Sequence, residues 1–192
     1  MSSATPFCQK LVEIAEFQHN KYHLVDENDE PLSSQIKKYW VDLGFDFPGV
    51  GVPWSAVFIS WCVKQAGATK SEFAFAAAHA KFAFAAIANH KANKGVFRGQ
   101  EITAYAPKVG DIIQNNRLGK KYAYKYAATH DAYQSHSAIV TEIGIDTSGR
   151  YALTIGGNEA DSVRSKVVRL DENGFIKQRD ANPFICVIQD LK

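Results

Sequence analysis

Ser55 stands in the stretch Pro53-Trp54-Ser55-Ala56-Val57-Phe58-Ile59-Ser60-Trp61-Cys62, after an approach rich in glycine and proline (Pro48, Gly49, Gly51) and ahead of Ala66-Gly67. The pattern predicts a loop, an abrupt helix start, a buried helix over Trp54–Ala66 and a glycine stop. A serine in the first turn of such a helix meets unpaired backbone N–H groups and the positive end of the helix dipole, which favour an anionic nucleophile or a developing oxyanion. A serine hydroxyl is far less acidic than a thiol, so the dipole alone does not ionise it and a general base must take its proton. Cys62 is no substitute nucleophile: seven residues on, it shares the helix face but lies about 10 Å further along the axis. Ser55 also has an ordinary reading as an N-cap or first-turn serine.

Other polar residues carry weaker signals. His79 lies on a stripe with Phe75, Ala78, Phe82 and Ala86 and reads first as a core histidine bonded to a carbonyl. His136 opens the alternating, β-branched run His136–Ile143 and reads as a histidine at the start of a strand. Asn158 follows Gly156-Gly157, where a turn residue is expected, and Asp111 is expected to close its turn on backbone N–H groups. His130-Asp131 and His136 are too loosely spaced for zinc, and no cofactor or metal is expected.

The elements that must position these residues fall into two halves. Helices are predicted from Pro6 to about Tyr22, from Ser33 or Ser34 (the cap) through Trp40 and Val41 to Gly44, over Trp54–Ala66, and from Ser71-Glu72 to about Ala88. Residues 89–104 read as a surface crossing. Strands are predicted at Ile112-Ile113, His136–Ile143, Tyr151–Ile155, Ser162–Leu170 and Phe184–Ile188, with turns at Pro107–Gly110, Gly149-Arg150 and Asp171–Gly174. Leu118–Tyr133, basic and aromatic, reads as surface decoration, able to line a cleft for a glycopeptide. Helices first and antiparallel strands after indicate an α+β fold, one domain over residues 1–192 with a helical half to about 104 and a sheet half from about 105.

Composition bounds the classes. With 46% hydrophobic residues in 192, the chain can build a core, which excludes a disordered chain. A net charge of +2 is too small to imply a nucleic-acid partner. Cys8, Cys62 and Cys186, an odd number without framework spacing, are expected as free thiols from a reducing compartment. The N-terminal stretch has no basic region followed by an apolar core, and nothing approaches membrane-spanning length, so synthesis in the cytoplasm without a signal peptide is expected.

The segment Trp54 to Cys62 resembles W-[CS]-A-x-F-[IV]-S-W-C, the nucleophile helix of the papain-like cell-wall hydrolases of the NlpC and CHAP type. Most of those enzymes carry cysteine where this chain has Ser55. Pro107-Lys108-Val109-Gly110-Asp111 is similar to their P-x-x-G-D, and Ile155-Gly156-Gly157-Asn158 to their later G-N, with His136 on the strand between. A closer resemblance, over nearly the full chain, is to the bacterial domain of unknown function 2272. It is carried by Tyr39-Trp40, the Ser55 helix, Phe73 with His79, Gly110-Asp111, His136, and Gly156 to Val163. The second of these families keeps a histidine at His79 as an alternative base.

These resemblances imply a papain-like fold, N-terminal helices packed on a C-terminal antiparallel sheet, and hydrolysis of amide bonds in peptidoglycan as amidase or endopeptidase. Ser55 is then the nucleophile, His136 the general base and Asn158 the residue holding the imidazole tautomer, with Trp54, His79, Asp111 and Glu159 as further candidates. Without a signal peptide, the implied settings are a phage lysin or an antibacterial effector delivered by a type VI apparatus to another cell's periplasm. The partners that follow are a peptidoglycan peptide or glycopeptide, an immunity protein and a secretion component, with the chain itself a monomer. The alternative is an inactive binding module on the same fold, in which Ser55 records loss of the nucleophile.

Overall fold

The computed structural model describes residues 5–192; Met1 to Ala4, the start of the stretch read for a signal peptide, lie outside it. In chain order the elements are α1 (Pro6–Tyr22), α2 (Leu32–Leu43), α3 (Ser55–Ala66), α4 (His79–Lys91), β1 (Phe97–Gln100), β2 (Ile112–Asn116), α5 (Tyr124–Ala127), β3 (Ser135–Asp146), β4 (Gly149–Gly156), β5 (Arg164–Arg169) and β6 (Phe184–Asp190). The strands form one antiparallel sheet in the order β1-β6-β2-β3-β4-β5. This is an α+β architecture.

Helix α1 starts where its sequence dictates: Pro6 occupies the first turn and Thr5 Oγ1 accepts the N–H of Cys8 at 3.1 Å. Helix α2 differs at its start, because neither Ser33 nor Ser34 caps it; Pro31 holds the cap position and the Ser34 hydroxyl donates to Glu30 at 2.6 Å. Helix α3 is apolar on nearly every side and lies buried between α1 and α2 on one flank and β3 and β4 on the other. Tyr39 of α2 meets Trp54 and Phe58 with ring centroids 6.0 and 5.6 Å apart, contacts worth about 0.5–1.5 kcal/mol each beyond their buried area. Gly67 ends α3 in the left-handed region at φ 110°, as a C-cap requires.

The sheet is apolar on both faces. Ile112, Ile139, Ile155 and Ile188 point into the core shared with the helices. Their neighbours Ile113, Val140 and Val187 point the other way, onto a second cluster closed by Ile102, Leu170 and Ile176 from the connecting segments.

The helix predicted from Ser71 begins only at His79. Ser60 on α3 explains the delay: its hydroxyl donates to the Ala76 carbonyl and accepts the Ala76 N–H, both at 3.0 Å, so this backbone is tied to α3 instead of a helical ladder. The surface crossing over 89–104 contains the short edge strand β1, which owes its existence to pairing with β6. Residues 118–133 are more than decoration. Ala127 is buried, Tyr122, Tyr124 and Tyr133 pack on the core, and Tyr133 donates to Gln114 at 2.9 Å. Cys8, Cys62 and Cys186 are free and buried.

Candidate active site

Ser55 occupies the first turn of α3 and is almost fully buried. No side chain caps this helix, and the first helical bond runs from the Phe58 N–H to the Trp54 carbonyl. The N–H groups of residues 55–57 therefore stay outside the helix's own ladder. The Ser55 hydroxyl does not turn back onto them. It lies 2.7 Å from Nε2 of His79, across the gap between the starts of α3 and α4. The Ser60–Ala76 tether is what places His79 there, three residues on.

His79 is buried, with its ring edge-on to Phe82 at 5.5 Å. Its Nδ1 has no hydrogen-bond partner among the described residues. Burial, then the neighbouring His136 and the Arg117 guanidinium, hold its pKa well below that of a free imidazole. The ring is therefore neutral at pH 7, with Nε2 able to accept the serine proton. A carbonyl partner, expected for a core histidine, is not what it has.

His136, on β3, has its ring centroid 5.3 Å from that of His79. Its Nε2 lies 2.7 Å from Glu159 Oε1. Glu159 is buried, and its other oxygen meets Lys166. Burial works against the carboxylate's charge, but His136 and Lys166 outweigh it and hold the pKa down at about 2.

Glu159 should stabilise the fold against acid. The folded-state pKa lies below the ordinary 4.5, so the stabilisation is complete above about pH 4.5 and fades as pH falls toward 2. Glu159→Gln should flatten that part of the acid limb; thermal midpoints of the two proteins between pH 6 and 2 would check it. Parallel acid limbs would contradict the depressed carboxyl.

Asn158 does not hold the His136 imidazole, which corrects the expected triad. It sits left-handed at φ 54° and its amide donates to Glu27 at 2.7 Å. Glu27 also accepts Nε1 of Trp54 at 2.8 Å on the same oxygen. One carboxylate thus joins the residue before Ser55 to the residue before Glu159. Glu27 belongs to the acidic stretch Asp26-Glu27-Asn28-Asp29-Glu30, which has the composition of an ordinary polar loop, and nothing in its spacing distinguishes it.

The loop after β4 is pinned at further points, the Glu27 N–H donating to Asp161 at 2.7 Å and the Ser162 hydroxyl to Tyr22 at 2.7 Å. Glu27→Ala would leave the Trp54 and Asn158 donors without their shared acceptor, and should cost about 2 kcal/mol of stability in chemical denaturation. A change within 0.5 kcal/mol, or about that, would show that the clamp is not structural.

Of the remaining candidates, Trp54 is fully buried next to Ser55 in the chain and Asp111 lies elsewhere. Asp111 accepts the Lys108 and Asp190 N–H groups, both at 2.8 Å, and joins β2 to the end of β6, closing the expected turn. Burial, opposed by those two bonds, pushes its pKa up to about 7.

Ser55 and His79 open onto a cleft of about 250 Å³ bounded by Pro53, Ala78, Arg117, Leu118 and Tyr133. His136 and Glu159 line a second of about 480 Å³, which also contains Arg117. No group of three or more His, Cys, Asp or Glu among the described residues is placed to hold a metal ion. No described helix is long and apolar enough to cross a membrane.

No curated protein and no solved structure matches the chain. A family model does, over residues 28–186, a span that includes Ser55, His79, His136, Asn158 and Glu159. With most of its length inside that match, the chain belongs to the bacterial family described as an uncharacterized protein conserved in bacteria, the domain of unknown function 2272.

Proposed function

We propose that the protein hydrolyses amide bonds of peptidoglycan through a papain-like arrangement in which Ser55 is the nucleophile and His79 the general base. The observation that carries this reading is the 2.7 Å contact between Ser55 Oγ and His79 Nε2 at the start of α3, beside a cleft. Ser55 Oγ attacks the carbonyl carbon as its proton passes to His79 Nε2. The oxyanion forms next to the N–H groups of the first turn of α3. His79 then gives the proton to the departing amine; water attacks the acyl-serine as His79 takes its proton, and that proton returns to Ser55 Oγ as the new carboxylic acid leaves. Neither Asn158 nor any other described side chain orients the His79 ring through Nδ1, so packing against Phe82 and the serine contact have that task.

Action on a wall outside the cell of synthesis would make the protein a phage-type lysin or an antibacterial effector, with an immunity protein as a partner. A second reading, a binding module on the same fold, is favoured by one observation: burial and nearby positive charge disfavour the His79 imidazolium that catalysis requires. Mass spectrometry of purified peptidoglycan incubated with the protein and with Ser55→Ala separates them. New muropeptides from the parent alone support the hydrolase; none from either leaves the binding module.

A further inference from the structure

Arg117 follows β2 and is half-buried where the two clefts adjoin, and it lines both. Its guanidinium has no ion-pair partner among the described residues, while the lysines and arginines in ion pairs are Lys38, Lys166, Arg169 and Lys192. The larger cleft adds Lys166 from β5 and Arg179 from the segment before β6. Arg179 is held in place from two sides: its Nε donates to the Asn182 carbonyl at 3.1 Å and its guanidinium lies 4.4 Å from the Phe184 ring centroid. Three cations therefore face one carboxylate, Glu159, which is already taken by His136 and Lys166. A concave site with that imbalance attracts an anion, and a planar guanidinium without a partner suits a carboxylate bidentately.

The geometry points to an anion subsite in the larger cleft, with Arg117 as its principal ligand, that receives a free carboxylate of the peptide whose amide bond lies at Ser55. The inference rests on the hydrolase reading for the peptide bond at Ser55, but the subsite itself is a binding site that can be measured alone. Arg117 spans the two clefts, so a ligand held there is positioned toward the Ser55–His79 pair. Its positive charge is also among those that disfavour the His79 imidazolium, after burial and His136. A bound carboxylate would offset that charge, so the ligand would make His79 a better base as it binds.

The test uses the Ser55→Ala chain, so that hydrolysis does not enter, and titrates it by calorimetry with N-acetyl-alanyl-alanine carrying a free carboxylate, with the same peptide as its C-terminal amide, and with inorganic phosphate. The expected result is about tenfold tighter binding of the carboxylate than of the amide, a preference removed by adding Arg117→Gln. Thermal unfolding of the Arg117→Gln protein at the parent midpoint would show that the fold is kept. A shifted midpoint would transfer the comparison to Arg179→Gln, expected to narrow the same preference. Equal binding of carboxylate and amide, no binding of either, or a preference that survives the arginine substitutions would overturn the subsite. Phosphate binding that the carboxylate peptide does not displace would assign the cleft to phosphate esters and overturn it as well. Carboxylate binding without any muropeptide release in the hydrolysis experiment would instead keep the subsite and remove the hydrolase reading.

Discussion

If the protein hydrolyses amides as proposed, His79→Ala should lower that hydrolysis by about 10³-fold or more, comparable to Ser55→Ala, because the serine would lose the base hydrogen-bonded to it. The structure orders the histidines: His79 touches Ser55 Oγ at 2.7 Å, whereas His136 faces Glu159. His136→Ala should therefore cost less, acting through the packing beside His79 and the contact with Glu159. Single-turnover rates on purified peptidoglycan fragments, measured for both variants with matched thermal midpoints, would check the ordering. A larger loss in His136→Ala than in His79→Ala would transfer the base to His136 and require the His79 contact to break in the working enzyme.

Gly157→Ala should destabilise the fold by about 3 kcal/mol, at the upper end of overpacking costs. A methyl group built at Gly157 would stand 2.6 Å from Phe58 Cβ and 2.6 Å from Trp54 Cζ3, both on buried residues of the α3 region. Phe58 Cβ is fixed to the helix backbone and cannot swing aside, so either α3 or the loop after β4 must move. Both carry the site: α3 holds Ser55, and the loop holds Glu159 against His136. Denaturant unfolding would give the stability change, and residual activity in the folded fraction should fall as well. A loss below about 1 kcal/mol would mean that the loop yields easily and does not fix the site.

The sequence made α3 plain, because a Gly/Pro-rich approach, an unbroken apolar run and Gly67 are local signals that tertiary contacts only reinforce. The same holds for α1 and for the alternating strands β3 and β4. Ser55 was legible for that reason. The pairing of Ser55 with His79 was not, since it depends on residues 71–78 leaving the helical pattern that their Phe and Ala content suggests. The cause is one long-range bond pair, Ser60 to Ala76, between segments 16 residues apart.

The partner of Asn158 is hidden from the sequence for a related reason. The G-G-N setting correctly indicated a tight turn, but the partner of the amide, Glu27, lies 131 residues away in a loop of ordinary composition. Glu159, next along, reaches the imidazole instead. The strand β1 is not legible in the sequence because four residues at a sheet edge carry too little pattern, and pairing with β6 defines them.

The nucleophilic character of Ser55 can be tested without knowing the bond cleaved. The protein would be treated with a fluorophosphonate, which phosphonylates activated serine hydroxyls with loss of fluoride, and the labelled position found by peptide mass spectrometry. Labelling at Ser55, lost in His79→Ala and retained in His136→Ala, is the expected result. An unlabelled Ser55, or labelling indifferent to His79, would contradict a Ser55–His79 catalytic pair.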